Sequence, residues 1–224
     1  FIPLINDLMF KYIFSYKANI KYLEYLLENL FNYKSCFLKD KLEVIRGLEL
    51  EKTKYDDRGL EVDIVVRLPD GKVINLEAYT SFYQASKLKS FLYQGNLFST
   101  QLKSGENFDK VKLHLQINFV KGKNIVSRRF TVLASDDSRE KFIDDLFQID
   151  VINIDQKVNN NYTINNKLKK LFKLMGSTTY EEAKENVEGE RVLMEMLEDM
   201  QNKPPLDQCL LLHLFVLLNL YKFL

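Results

Sequence analysis

Leu60-Glu61-Val62-Asp63-Ile64-Val65-Val66-Arg67-Leu68, the turn Pro69-Asp70-Gly71 and the run Lys72-Val73-Ile74-Asn75-Leu76-Glu77-Ala78-Tyr79 read as one β-hairpin, and its register governs the reading of the whole chain. Pro69 is preset for the first turn position and Gly71 is free to adopt a left-handed conformation, which suits a three-residue loop with Leu68 opposite Lys72. That register pairs Val62 with Ala78, Ile64 with Leu76 and Val66 with Ile74 on a wholly apolar face. The other face pairs Val65 with Asn75, Arg67 with Val73, and Asp63 with Glu77. A two-residue Asp70-Gly71 turn would slide polar side chains over apolar ones, so burial selects the longer loop.

Two carboxylates directly opposed on a strand pair repel each other unless one is protonated or a cation lies between them. Asp63 and Glu77 are therefore candidate metal ligands, and with no His or Cys close in sequence they suit a hard ion such as Mg²⁺ or Mn²⁺. The alternative is a solvated sheet face on which both acids share Arg67, Lys72 or Lys89.

Working outward, Leu4, Leu8, Met9, Tyr12 and Ile13 recur at helical spacing over residues 4 to 15, with Asn6 or Asp7 in the first turn. Ile20, Leu23, Leu26, Leu27 and Leu30 predict a second helix over 19 to 31, with Asn19 as N-cap. A strand follows between Leu42 and Glu51, with Gly47 marking a bulge. After the hairpin, residues 80 to 104 read as a long helix bent near Gly95. The alternation Val111, Leu113, Leu115, Ile117, Phe119 against Lys112, His114, Gln116, Asn118 predicts a strand with one buried face. Further strands fit Arg129 to Leu133 and Val151 to Ile154, an Asn-rich linker spans 156 to 166, and helices fit 164 to 175, 179 to 200 and 206 to 223. The order describes an α/β sandwich of mixed sheet followed by a helical tail, with a strand-helix-strand crossover on one sheet face.

Composition agrees with a globular chain: 224 residues at 46% hydrophobic content support one sizeable core, and Gly and Pro are too scarce for a low-complexity chain. Cys36 and Cys209 show no CxxC spacing, so neither a disulfide framework nor a zinc site is indicated, and a reducing cytoplasm fits. His114 and His213 are isolated in apolar settings and are assigned no chemistry. Net charge is +1, but residues 181 to 200 hold eight acidic and two basic side chains, leaving a modest positive excess over the first 180 residues. That excess could supply a modest phosphate-facing surface, but it fits an ordinary mixed surface better than a nucleic-acid groove. Phe1-Ile2-Pro3-Leu4 lacks the pattern of a secretory leader, and the absent Met suggests a trimmed start. Within the tail 206 to 224, the apolar run Cys209 to Leu224, interrupted by His213, Asn219 and Lys222, falls short of the usual spanning length, so a buried packing helix or a homodimer helix is expected rather than a membrane anchor.

Taken together, Val62-Asp63-Ile64-Val65-Val66, Pro69-Asp70-Gly71 and Ile74-Asn75-Leu76-Glu77-Ala78-Tyr79 resemble the PD-(D/E)xK nuclease core, specifically the Rpn group of recombination-promoting nucleases, which is grouped with transposases. Asp7-Leu8-Met9-Phe10-Lys11-Tyr12-Ile13-Phe14 resembles the group's opening D-x-x-F-K motif. Lys89-Ser90-Phe91-Leu92-Tyr93 lies where the group has an Arg four residues before a Tyr, and Gly105-Glu106-Asn107-Phe108 resembles its G-E-x-aromatic turn. The resemblance covers roughly residues 4 to 155. It implies a restriction-endonuclease-like core, with a mixed central sheet flanked by helices, over residues 1 to 155, and a C-terminal helical region over 156 to 224.

It also implies Mg²⁺- or Mn²⁺-dependent cleavage of DNA, with Asp63 and Glu77 holding metal, in recombination, transposition or defence. The superfamily carries a Lys, and the Rpn group commonly a Gln, two residues after the Glu; here that position is Tyr79, a neutral phenol that brings no positive charge. Gln84, Lys87 or Lys89 on the following helix would have to point back to replace it. Asp7 is either a helper at the metal site or favourable first-turn chemistry. Phe10 and Phe14 read as core, and Tyr93 either packs or stacks on a base. The competing class is a catalytically degenerate module that binds DNA or a partner protein, its carboxylate pair vestigial.

Overall fold

The Leu68 amide donates to the Lys72 carbonyl at 2.8 Å and the Gly71 amide to the Leu68 carbonyl at 2.9 Å, closing the three-residue loop with Gly71 at φ +85°. The computed structural model describes residues 1–34, 37–46, 63–131, 146–156 and 162–202. Strand β1 (Glu43–Arg46) runs antiparallel to β2 (Ile64–Arg67), which pairs with β3 (Val73–Tyr79) in the expected register, Ile64 opposite Leu76 through Arg67 opposite Val73. Helix α3 (Gln84–Ser99) crosses over from β3 to a parallel neighbour, β4 (His114–Val120). The last two strands are β5 (Arg128–Thr131) and β6 (Phe147–Asn153); β6 is parallel to β4 and β5 caps the edge antiparallel to β6. The six-stranded mixed sheet has the order β1-β2-β3-β4-β6-β5.

Helix α1 (Asp7–Ser15) starts at Asn6, whose side chain accepts from the Leu8 and Met9 amides. Helix α2 (Ile20–Phe31) is entered through the 3-10 turn Lys17–Asn19, so Asn19 makes no side-chain cap and instead donates its amide to the Tyr12 carbonyl. Helix α3 (Gln84–Ser99) is shorter than the 80 to 104 expected, because it begins at a Tyr83–Ser86 capping box and stops at Thr100. Three helices follow: α4 (Asn166–Gly176), α5 (Tyr180–Val187) and α6 (Arg191–Gln201). The single helix expected over 179 to 200 is thus two, broken where Gly189 adopts φ +75°.

Strand parity then distributes the layers. Ile64, Val66, Ile74, Leu76, Ile117 and Phe119 face one large apolar cluster with Phe10 and Phe14 of α1, Leu23 and Leu27 of α2, and Leu171, Phe172, Leu193 and Met196 of α4 and α6. Helices α4 to α6 therefore pack into the same cluster as α1 and α2. The opposite sheet face is covered by α3, through a small cluster of Val65, Tyr93 and Leu97. For that reason β4 has both faces buried, not one: all seven of its residues are inaccessible. Strand β6 likewise extends further back than the expected Val151 start.

The Gly47 bulge and the later part of the strand expected between Leu42 and Glu51, the Val62–Ala78 pair, most of the Asn-rich linker and the helix or dimer contact of 206 to 224 fall wholly or partly outside the described residues. Among the described residues no helix is long and apolar enough to cross a membrane.

Phe119 is fully buried between the rings of Phe10 and Phe172, at centroid distances of 5.9 and 6.1 Å. Phe119→Ala is expected to cost ~3–5 kcal/mol in urea unfolding followed by circular dichroism, and a loss below ~1 kcal/mol would show that these layers do not share one core.

Candidate active site

Just before β2, the chain brings Asp63 against Glu77 of β3. The Asp63 amide donates to Glu77 Oε1 at 3.0 Å, and the Ala78 amide donates to Asp63 Oδ2 at 3.2 Å. Both acids are buried, at 7% and 0% exposure, because α3 lies over this sheet face. The solvated-face alternative therefore fails: Arg67 is engaged by Glu43 and Lys72 by Asp70, and only Lys89 of the three cations reaches the pair.

Each carboxylate thus engages one oxygen with main chain and turns the other toward a cation. Lys89 Nζ from α3 lies 3.3 Å from Glu77 Oε2, and the Tyr79 hydroxyl donates to the same oxygen at 3.4 Å. Lys11 Nζ from α1 lies 3.2 Å from Asp63 Oδ1. Lys89 also sits over the Tyr93 ring, 4.8 Å from its centroid, while Tyr93 packs on Val65 and Leu97. Gln84 and Lys87 are exposed on α3 and do not point inward. Asp7 joins only through Lys11, 3.2 Å away and one helical turn on; its own side chain is 53% exposed.

Burial and the neighbouring Glu77 push the Asp63 carboxyl well above its ordinary range, partly offset by Lys11. Burial raises Glu77 as well, against the opposing pull of Lys89 and the Asp63 amide. Burial alone would lower the Lys89 ammonium, but Glu77, then Tyr79 and Tyr93, drive it upward, so it stays charged. Burial and Glu77 raise Tyr79, so it stays a phenol.

Lys11 was not singled out by residue type alone, yet its place in the Asp7-to-Lys11 motif, next to core-facing Phe10, was the available signal. A second feature is a buried polar ladder under α3. Asn75 donates to Gln116 at 2.7 Å, Gln116 to Asn118 at 3.0 Å, and Ser90 of α3 to Asn118 at 2.9 Å. Further along, Gln94 bonds His114 Nδ1 at 2.7 Å, and burial lowers the His114 pKa to about 4, keeping it neutral. The polar half of the β4 alternation signalled this ladder, since a polar strand face beneath a helix must bond to itself or to that helix.

The donor set fits a hard divalent ion. Among the described residues Asp63 Oδ1 and Glu77 Oε2 accept no main-chain bond, and Mg²⁺ is commonly held by one or two carboxylates with water completing its shell. Among the described residues no group of three or more His, Cys, Asp or Glu side chains converges, so Asp7 adds no third carboxylate.

The family model described as PD-(D/E)XK nuclease family transposase matches residues 4–204, beyond the stretch ending at 155 and through α6. The chain belongs to that family. Neither curated proteins nor solved structures yield a match.

The raised carboxyls fix the pH dependence of the metal-free protein. With folded-state affinities for protons above the ordinary values of 3.8 and 4.5, the folded state binds more protons than the unfolded one. The contribution present at acid pH is then lost as pH rises toward the folded values. Asp63→Asn should therefore raise the melting midpoint of the metal-free protein at about pH 8, by an increment that shrinks toward about pH 4. A lowered midpoint at the alkaline end would show that Lys11 outweighs burial.

Proposed function

We propose that this member of the PD-(D/E)XK nuclease family transposases is a metal-dependent DNA endonuclease in which Asp63 and Glu77 hold Mg²⁺ or Mn²⁺ and Lys89, carried by α3, takes the place of the lysine absent at Tyr79. The observation that carries this reading is the convergence on one buried pair: two opposed carboxylates, each with one oxygen left for a cation, and an ammonium 3.3 Å from Glu77.

Asp63 and Glu77 would hold the divalent ion, which would supply Lewis acidity toward water and the scissile phosphate. The main-chain bonds from the Asp63 and Ala78 amides orient the two carboxylates before any ligand arrives. Lys89, kept as an ammonium, acts as a hydrogen-bond donor and positive charge toward attacking water or phosphate oxygen, not as a base. Tyr79 steadies Glu77 Oε2 and packs edge-on against Phe82, with ring centroids 5.4 Å apart. Its role is support, and the chemistry it lacks comes from the helix. The Rpn-like motifs support a setting of recombination, transposition or defence in the cytoplasm.

One observation favours a second reading, a non-cleaving DNA- or protein-binding module: Lys11 and Lys89 already balance both carboxylates. Metal binding and cleavage separate the two. Mn²⁺ should raise the melting midpoint of the wild-type protein, and Asp63→Ala should abolish the rise. Plasmid nicking should disappear in Asp63→Ala and Glu77→Ala, fall ~10²-fold or more in Lys89→Ala, and largely survive in Tyr79→Phe. Nicking that persists in both carboxylate variants would place catalysis elsewhere; a metal-induced rise without nicking would favour the binding module.

A further inference from the structure

We infer that Lys11 is a phosphate-binding residue of this site, tethered by Asp7 and released toward the DNA backbone when a divalent ion takes its place on Asp63. The inference rests on the metal reading above and extends it to a residue from a different element.

Lys11 Nζ lies 3.2 Å from Asp63 Oδ1, the oxygen turned away from the Ala78 amide that Oδ2 accepts. An ion there repels the ammonium and removes its acceptor. Asp7 remains, at 3.2 Å from the same Nζ, so the ammonium keeps an acceptor without leaving the site. Its backbone cannot follow or retreat, because Phe10, Ile13 and Phe14 fix α1 in the core at 0% exposure. The Lys11 side chain itself is 26% exposed and so can meet a ligand arriving from solvent.

Charge bookkeeping points to the same ligand class. Among the described residues, Asp7, Asp63 and Glu77 against Lys11 and Lys89 leave one net negative charge. One divalent ion turns this into one net positive charge, which a phosphodiester monoanion neutralises. Lys89 lies on the Glu77 side and Lys11 on the Asp63 side, so the two ammoniums flank the pair from α3 and α1.

The tether makes two substitutions act in opposite directions on metal affinity. In Lys11→Met the competing cation is gone, so less Mn²⁺ should be needed to raise the melting midpoint; in Asp7→Asn a carboxylate that draws the ammonium away from Asp63 is gone, so more should be needed. With Ca²⁺ as the non-cleaving ion, Lys11→Met should bind a short DNA duplex ~10-fold more weakly in fluorescence anisotropy, and Lys11→Arg should recover most of that loss. A merely structural Lys11 would move stability alone. Unchanged duplex affinity in Lys11→Met, or metal requirements moving in the same direction in both variants, would overturn the inference while leaving the carboxylate site standing. No Mn²⁺-induced rise in the wild-type protein would overturn the metal reading itself. Should Lys11→Met fail to fold, the Asp7→Asn titration decides, an unchanged Mn²⁺ requirement counting against the tether.

Discussion

The loop closed between Leu68 and Lys72 sets the parity of every residue on β2 and β3. With Gly71 in the left-handed region, Ile64, Val66, Ile74 and Leu76 share the face that receives α1, α2 and α4 to α6. The same parity forces Asp63 and Glu77 together on the face that receives α3. A one-residue slip would turn one strand over, placing its acid in the apolar core and its apolar residues on the opposite face. The site is therefore a by-product of the register that builds the core, and neither can change without the other.

Burial of that acid pair creates a tension that the surrounding elements answer. Two carboxylates removed from water and facing each other favour protonation, and the fold brings an ammonium to each from opposite directions. Lys11 comes from a helix anchored by aromatic side chains, Lys89 from a helix held by the ladder of Ser90, Asn118, Gln116 and Asn75. The ladder explains why α3 presents polar residues inward while Leu88 and Phe91 remain exposed. It seats Lys89 in a fixed position beside Glu77, where a helix resting on apolar contacts alone would have weaker orientation.

Membership of the PD-(D/E)XK family and the Tyr at position 79 describe the same geometry from two sides. The strand that carries Glu77 delivers a phenol where family members carry a cation or an amide, and the next helix delivers an ammonium to the same carboxylate oxygen. In the proposed mechanism a side-chain function moves between elements while the charge stays beside Glu77. Such a relocation is invisible to a motif confined to one strand, because the spacing between Glu77 and Lys89 reflects the path of a loop and the pitch of a helix.

The sequence by itself determined the hairpin register, the apolar reverse face, the crossover that makes β3 and β4 parallel, and the proximity of Asp63 to Glu77. These follow from short-range facts: turn chemistry, a period of two, and the cost of exposing apolar side chains. Sequence narrowed the inward-pointing partner on α3 to three residues, and it placed Lys11 within a motif without giving it a destination. The tertiary structure decided the rest. Only the docking of α3 makes the polar half of β4 buried, excludes Gln84 and Lys87, and turns a pair drawn on an open sheet into an enclosed one. Only the packing of α1 brings Lys11 to Asp63, across more than fifty residues of chain. Periodicity names the face a helix buries, but which strand that face meets depends on contacts between elements, and those are set by the fold as a whole.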